Sequence, residues 1–258
     1  MAETKEILSL AVETGEALLR NGAEVYRVED TVMHILDAYE IEEYDVYVLS
    51  NGIFASANEN REDACSMIRH IPLGSTHLGR IAALNQLSRE ICSHDCALID
   101  AWVRLDECKN IPETRDKFGW LFCGIGCGCF TYLFGGTVYD RIAAFFAGFL
   151  LKVLLKLLSS GKSSRFIVNI LGSAFVTCFS LFFYSLGLPL LYDKIIIGSI
   201  MPLVPGIALT TSIRDFFNGD YLSGAIHMID AILTAFCIAV GVGTVMTIYH
   251  LLMGGALL

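Results

Sequence analysis

The spacing of hydrophobic residues in the first part of the chain changes twice, from helical to alternating and back to helical. Three- and four-residue steps predict helices over residues 5–20, from Val25 to Tyr39, over 77–92 and over 95–109. Between them, the β-branched and aromatic stretch YDVYVLSNGIFASAN, with Asn51-Gly52 at its centre, predicts a β-hairpin, and CSMIRHI predicts a third strand. Two helices, a small antiparallel sheet and two more helices predict an α+β domain over residues 1–117.

The rest of the chain, residues 118–258, is almost continuously apolar. Because about 20 apolar residues are needed to cross a bilayer core, it divides into five predicted spans, at about 118–136, 139–158, 166–188, 195–213 and 222–250. The fifth is long enough to bend at Gly241-Val242-Gly243. In the first, the small residues of GIGCGC predict close packing against another helix. This pattern predicts an all-α transmembrane domain of five helices that contacts the lipid bilayer.

Charge separates the same two regions. Residues 1–117 hold 22 acidic and 11 basic side chains, whereas residues 118–258 hold 5 and 7. The acidity of the first region argues against nucleic acid as a partner, because phosphate binding needs basic surfaces. Seven basic residues flank one side of the predicted spans (Arg115, Lys117, Lys152, Lys156, Lys162, Arg165 and Arg214), against Arg141 and Lys194 on the other. The positive-inside rule therefore predicts a cytoplasmic N-terminal domain and a C-terminus outside.

The nine cysteines do not indicate a metal or cofactor site. CSHDC places Cys92, His94 and Cys96 close together, but no second ligand pair of matching spacing follows. We interpret this stretch as a helix end, with a metal clasp as the less favoured alternative. We expect no metal and no cofactor.

The segment GAEVYRVEDT carries polar residues at helical spacing. Glu24, Arg27, Thr31 and His34 are predicted to share the helix face opposite the valines. This face either binds a solute, a regulator or the membrane half of the chain, or it is a solvated surface with a Glu24–Arg27 ion pair.

The segment MPLVPGIALTTSIRDFFNGDYLSG interrupts a predicted span with helix-breaking residues. Pro202 and Pro205, followed by Gly206, predict an unwound stretch, since each proline lacks an N–H and clashes with the preceding turn. Broken helices at membrane depth line solute paths in many transporters, with the N-terminus of a half-helix aimed at an anionic group. A half-helix that starts near Pro205 would have Thr210 and Thr211 one turn further on. The alternative is a simple kink in a packed bundle.

Two ionisable residues lie in the fifth predicted span. Placing an ionised Asp230 there costs about 2.5–3.5 kcal/mol on insertion scales, so it should face a cavity or a partner. His227 is three residues earlier on the same predicted face. These residues either carry protons, or Asp230 pairs with Arg214 or Arg141 and holds helices together.

NGAEVYRVEDT and PLVPGIALTTSIRDFFNGDYLSG resemble the two signature segments of the threonine/serine exporter family, and the order of a cytosolic α+β domain and five spans resembles it too. The resemblance implies a bacterial inner-membrane exporter of small amino acids or, in a related branch, of succinate. Two sets of positions in this chain match the motifs of that family. These are Glu24, Arg27 and Glu29 in the first segment, and Pro205, Gly206, Arg214, Asp215, Gly219, Asp220 and Gly224 in the second.

The span count departs from single-chain members of that family, which have about ten spans, twice the number predicted here. The chain is therefore similar to the split type, in which a shorter multispan membrane subunit supplies the remaining spans. Because five is odd, a homologous half would insert in the opposite orientation and form an inverted repeat. We expect a secondary exporter subunit for a small carboxylate-bearing solute. Two alternatives are a membrane-anchored enzyme or sensor and a scaffold for another membrane complex.

Overall fold

The structure is a computed structural model that describes residues 2–59, 61, 63–72, 74, 76–93, 96–112, 116–159 and 164–253. It divides into two compact units. The first comprises Met1–Glu113 together with Thr211–His227, and the second comprises Thr114–Thr210 together with Met228–Leu258. The domain boundary predicted at residue 117 stays a prediction, and each unit is described separately below.

The first unit contains four N-terminal helices and one small sheet. Its elements are α1 (Ala2–Arg20), α2 (Val25–Ala38), β1 (Tyr44–Leu49), β2 (Gly52–Ala57), β3 (Cys65–His70), α3 (Leu78–Cys92) and α4 (Leu98–Lys109). The sheet is antiparallel in the order β1-β2-β3. The predicted order of helices and strands is confirmed, and the core joins them through residues with no exposed surface, such as Leu8, Val28, Ile53 and Leu84.

The α1–α2 connection is set by Gly22. Its φ of +83° is a left-handed conformation that glycine adopts without steric cost. The N–H of Ala23 donates to the carbonyl of Leu18 at 3.0 Å, and that of Gly22 donates to Leu19 at 3.0 Å, which closes the end of α1. This turn places Glu24 immediately before the first residue of α2.

The hairpin differs from its prediction by one residue. Its two-residue connection is Ser50-Asn51, and Gly52 is the first residue of β2, opposite both Leu49 and His70. A Cβ on Gly52 would lie 3.2 Å from the carbonyl oxygen of Arg69. Glycine at this position therefore allows β3 to approach closely and does not form the turn.

The remaining helices are mostly apolar. They are α5 (Asp116–Leu133), α6 (Val138–Ser159), α7 (Arg165–Ser185), α8 (Tyr192–Ile200), α9 (Gly206–Asn218) and α10 (Tyr221–Leu252), with a 3₁₀ turn at Met201–Leu203. The first residues of α10 and the last of α9 belong to the first unit. Within the described residues, α7 and α10 are long and apolar enough to cross a membrane, and Tyr192–Leu203 with Gly206–Asn218 passes as one bent span. The count of five spans stays a prediction.

Glycines set the close helix contacts of the second unit. A Cβ on Gly124 would lie 2.8 Å from the carbonyl oxygen of Phe145, and one on Gly128 would lie 3.2 Å from that of Arg141, so α5 packs tightly on α6. The close packing predicted from GIGCGC is thus confirmed at these two positions, whereas Gly126 has no such neighbour among the described residues. The helix α10 runs through Gly241 and Gly243 without interruption.

Candidate functional site

The predicted break in the fourth apolar stretch is confirmed. After α8 and the 3₁₀ turn, Val204 is extended (φ −64°, ψ 129°), and α9 begins at Gly206. The two helical segments meet at 59°. Pro202 lies in the 3₁₀ turn and Pro205 directly precedes α9, where the missing N–H of proline costs little.

Close to this break, the hydroxyl of Thr210 bonds to the backbone of its own helix. Thr210 Oγ1 donates to the carbonyl oxygens of Gly206 and Ile207, at 3.0 Å in each case. Thr211, the next residue, is partly buried and belongs to the first unit.

The α9–α10 turn brings two helix ends together within the first unit. Gly219 makes the turn with a φ of +89°, and the N–H of Asp220 donates to the carbonyl of Asp215 at 2.9 Å. Beside it, Ser212 Oγ donates to the carbonyl oxygen of Gly224 at 2.7 Å. This turn places the side chains of α9 against those at the start of α10.

A buried carboxylate–imidazole pair lies beside this turn. Nδ1 of His227 is 2.9 Å from Oδ2 of Asp215, and the Asp215 side chain is only 1% exposed. The other carboxylate oxygen, Oδ1, is buried and has no hydrogen-bond partner among the described residues. Leaving a buried carboxylate oxygen unpaired is costly, so this arrangement is suited to taking up a proton or a ligand that donates a hydrogen bond.

The two motif segments meet through an ion pair. The guanidinium of Arg214 donates to Oε1 of Glu24, the residue that precedes α2. Nε of Arg27 lies 3.6 Å from Oε2 of the same carboxylate, so the predicted Glu24–Arg27 pair is also present. Residues that are 190 positions apart in sequence thus share one charge cluster.

Further contacts join each of the two segments to the hairpin. Glu29 Oε2 accepts a hydrogen bond from the N–H of Val48 at 3.2 Å, and Ser223 Oγ accepts one from the N–H of Ser50 at 3.2 Å. Burial raises the pKa of the Glu29 carboxyl; the Val48 N–H partly offsets this effect, and the negative charge of Asp220 adds to it. We call the following group the two-motif cluster: Glu24, Glu29, Ser50, Arg214, Asp215, Asp220, Ser223 and His227.

Two residues of the predicted α2 face lie elsewhere. Thr31 is only 8% exposed and lies on the buried side of α2 with Val28 and Val32, so its prediction as part of a polar face is wrong. The three-residue step from Val28 turns Thr31 toward the core. Nδ1 of His34 is 2.7 Å from the carbonyl oxygen of Asp30, and His34 does not join the two-motif cluster.

Asp230 has a partner that the sequence did not indicate. It forms an ion pair with Arg165 at the start of α7, and its side chain is 16% exposed. The two partners considered from the sequence are engaged elsewhere. Arg214 binds Glu24, while Nε of Arg141 donates to the carbonyl of Thr137 at 3.3 Å and its guanidinium lies over the Tyr132 ring. The sequence predicted Arg165 in a loop between two spans, and charged loop residues usually face water. For this reason its pairing with Asp230 was not predicted.

Comparison with known proteins identifies the family. The family model described as "Putative threonine/serine exporter" matches residues 9–249. The chain belongs to the threonine/serine exporter family. Membership places this exporter-family chain among membrane transport proteins and not among enzymes.

Two relatives of the exporter-family chain differ in length. It is 24% identical over 246 residues to a "Probable threonine/serine exporter" of Mycobacterium tuberculosis, a match that covers 93% of this chain and 45% of that protein. It is 23% identical over 259 residues to the "Probable succinate transporter subunit YjjP" of Klebsiella aerogenes, covering 97% and 96%. The chain thus spans about half the length of the first relative and nearly all of the second. No solved structure matches it.

Sequence reasoning on the exporter-family chain missed the serines of the site. Ser50, Ser212 and Ser223 are all buried and hold the α9–α10 turn or the hairpin in place. Their signal was weak, because small hydroxyl residues are common in turns and helices. Within the described residues, no group of three or more His, Cys, Asp or Glu side chains is arranged to hold a metal, and His94 lies outside them.

Proposed function

We propose that this chain is one subunit of a secondary exporter that moves a small carboxylate-bearing solute, threonine, serine or succinate, across the bacterial inner membrane. Family membership supports transport, and the printed names of the two relatives supply these solutes. In this proposal, the N-terminal α+β domain is cytoplasmic, five helices span the membrane and the C-terminus is outside.

The observation that carries the proposal is the interrupted helix at Pro202–Gly206. A simple anchor has no need of a break with a 59° bend in an apolar stretch. The N–H of Gly206 at the start of α9 donates to the carbonyl of Val204 at 2.8 Å. The next N–H groups in the first turn of a helix have no partner within the helix, and such groups favour a solute carboxylate. We propose that the following residues line or border the solute path: Pro202, Pro205, Gly206, Thr210, Thr211, Arg214, Asp215 and Asp220.

A second membrane subunit is part of the proposal. The longer relative from Mycobacterium has about twice the length that this chain covers, whereas the relative from Klebsiella is named a subunit and has the same length. We infer that a shorter multispan subunit of the same family supplies the missing half in an inverted orientation. Transport is coupled to protons through ionisable groups that the apolar helices partly bury.

Reconstitution tests this function. The chain is expressed with a shorter multispan protein of the same family from the same genome, purified and placed in liposomes, and counterflow of labelled threonine, serine and succinate is measured. We expect counterflow of at least one solute with both subunits and none with either subunit alone. Counterflow by this chain alone would refute the subunit requirement. Absence of counterflow for all three solutes, with both subunits folded and present, would refute the proposed exporter.

A further inference from the structure

We propose that the Asp215–His227 pair is the proton-binding site of this protein, and that Asp230 is a structural residue held by Arg165. The inference deepens the proposed function, because it names the groups that would couple solute movement to protons. It rests on the different surroundings of two carboxylates, each described within its own unit.

Asp230 is poorly suited to carry a proton. Its partner is a guanidinium, which stays charged at all physiological pH values. Protonation of Asp230 would remove the ion pair between α7 and α10 and leave Arg165 without its anion. The Asp230 carboxylate therefore has a permanently charged partner, and the pair joins two helices of the second unit.

Asp215 has the opposite surroundings. Its side chain is nearly fully buried, Oδ2 contacts an imidazole that can itself gain or lose a proton, and Oδ1 has no hydrogen-bond partner among the described residues. With a neutral imidazole, the pair has one negative charge. After uptake of one proton from water it is neutral, whether Asp215 or His227 holds the proton. A proton on Oδ1 would also supply the donor that this oxygen lacks.

The charges around the pair come from α9, from the α9–α10 turn and from the start of α2. On α9, Arg214 is the nearest cation in sequence, but its guanidinium is bound by Glu24 from the start of α2. Asp220 in the α9–α10 turn interacts electrostatically with both Asp215 and Glu29. Besides His227, the charged groups that interact electrostatically with Asp215 are the Asp220 carboxylate and the Arg214 guanidinium. Glu24 pairs with Arg214 and with Arg27, the next cation along α2. Ser50 of the hairpin and Ser223 of α10 are neutral.

The transport test separates proton coupling from solute binding. With the two-subunit proteoliposomes described above, uptake driven by a pH gradient and counterflow without a gradient are measured on the same samples. We expect Asp215→Asn and His227→Gln to lose pH-driven accumulation. His227 is not among the residues proposed to border the solute path, so His227→Gln should also retain counterflow. The matched control is Asp193→Asn, an exposed acidic residue paired with Lys194 at 3.3 Å, which should retain both activities. Asp215→Asn with intact pH-driven accumulation would overturn the assignment.

A charge swap tests the structural role of Asp230. The double variant Asp230→Arg with Arg165→Asp preserves an ion pair between the same helices, so we expect it to fold and to retain pH-driven accumulation. A proton carrier would not tolerate the swap. If the swapped protein folds and keeps counterflow but loses pH-driven accumulation, the assignment is wrong.

Infrared spectroscopy tests the pair without any transport. Acid-minus-neutral difference spectra are recorded on the purified full chain, whose folding is checked by gel filtration. Because the two groups share one proton, Asp215→Asn and His227→Gln should each remove the same difference band, and Asp193→Asn should leave it in place. If the two variants remove different bands from the spectrum, the proposal is wrong. If both variants remove the same band but the protein fails every counterflow assay, the proton-binding pair is supported and the proposed exporter function is refuted.

Discussion

Arg214 is the side chain through which the second motif reaches the first. It is half exposed, and the Glu24 side chain is 29% exposed, so the ion pair is partly screened by water. The ion pair therefore contributes little to stability, and its main effect is to hold the last turns of α9 at the start of α2. The buried serines Ser50 and Ser223 make a further contact within the first unit without charge, between the hairpin turn and α10.

A double-mutant cycle measures this ion pair. We expect Glu24→Gln and Arg214→Gln to be coupled by about 0.2–1 kcal/mol in the free energy of unfolding, the usual range for a partly exposed pair. Chemical denaturation of the detergent-solubilised full chain, followed by circular dichroism, gives the four values. The control cycle is Arg61→Gln with Glu42→Gln, whose carboxylate is 73% exposed. A coupling energy of zero for Glu24 and Arg214 would contradict the contact.

Glu29 gives the first motif a pH dependence. Burial raises the pKa of its carboxyl above the ordinary value of 4.5, so the folded state binds more protons than the unfolded state between the two values. Its contribution to stability is therefore greatest at low pH and falls as pH rises through the raised pKa. We expect Glu29→Gln, whose amide oxygen can still accept from Val48, to be more stable than wild type at neutral pH.

The difference between Glu29→Gln and wild type should disappear below the ordinary pKa of 4.5, where both side chains are uncharged. Thermal unfolding from acid to neutral pH measures it. The control is Glu107→Gln on α4, because this side chain is 67% exposed and lies outside the two-motif cluster. If the difference in stability between Glu29→Gln and wild type is constant over the whole pH range, its cause is packing and not ionisation.

At the level of elements, helices were predictable wherever one local pattern determined them. The end of α1 at Asn21-Gly22 and the break at Pro202–Gly206 follow from the backbone limits of glycine and proline. The hairpin turn was misplaced by one residue because Gly52 serves the neighbouring strand, and strand contacts are not visible in a local pattern.

The candidate site was predictable only in part, because its contacts join distant parts of the chain. Both motifs were identified, but the pairs Glu24–Arg214, Asp215–His227 and Arg165–Asp230 depend on tertiary packing. The signal for Asp215–His227 was Asn218-Gly219, which predicts a turn between them. A turn there brings residues before and after it face to face.

The contact between α7 and α10 depends on one glycine. A Cβ on Gly241 would overlap Ser173 Oγ and the carbonyl oxygen of Ile170, whereas a Cβ on Gly243 would have no neighbour within 4 Å among the described residues. We expect Gly241→Ala to lower the free energy of unfolding by about 1–3 kcal/mol through overpacking. Gly243→Ala should be neutral or stabilising, because alanine favours the helix. Thermal unfolding of both variants in detergent measures the difference, and equal effects would contradict this packing.

At the scale of the whole molecule, the structure links the second motif to the N-terminal region. Thr211–His227 belongs to the same compact unit as Met1–Glu113, so a segment among the apolar helices packs with the α+β region. In the proposed exporter, a change at the α9–α10 turn would act directly on the hairpin and on α2. This connection is testable in native membranes.

Cross-linking tests that connection in the full chain. Because the N–H of Ser50 is 3.2 Å from Ser223 Oγ, we expect Ser50→Cys with Ser223→Cys to form a disulfide on mild oxidation of membranes. Mass spectrometry of the linked peptides identifies the bond and separates it from bonds of the nine native cysteines. The control pair is Ser56→Cys with Ser223→Cys, since Ser56 lies opposite Asp45, about 17 Å further along the hairpin than Ser50. Equal cross-linking of both pairs would mean that Thr211–His227 does not pack against the hairpin turn in the membrane.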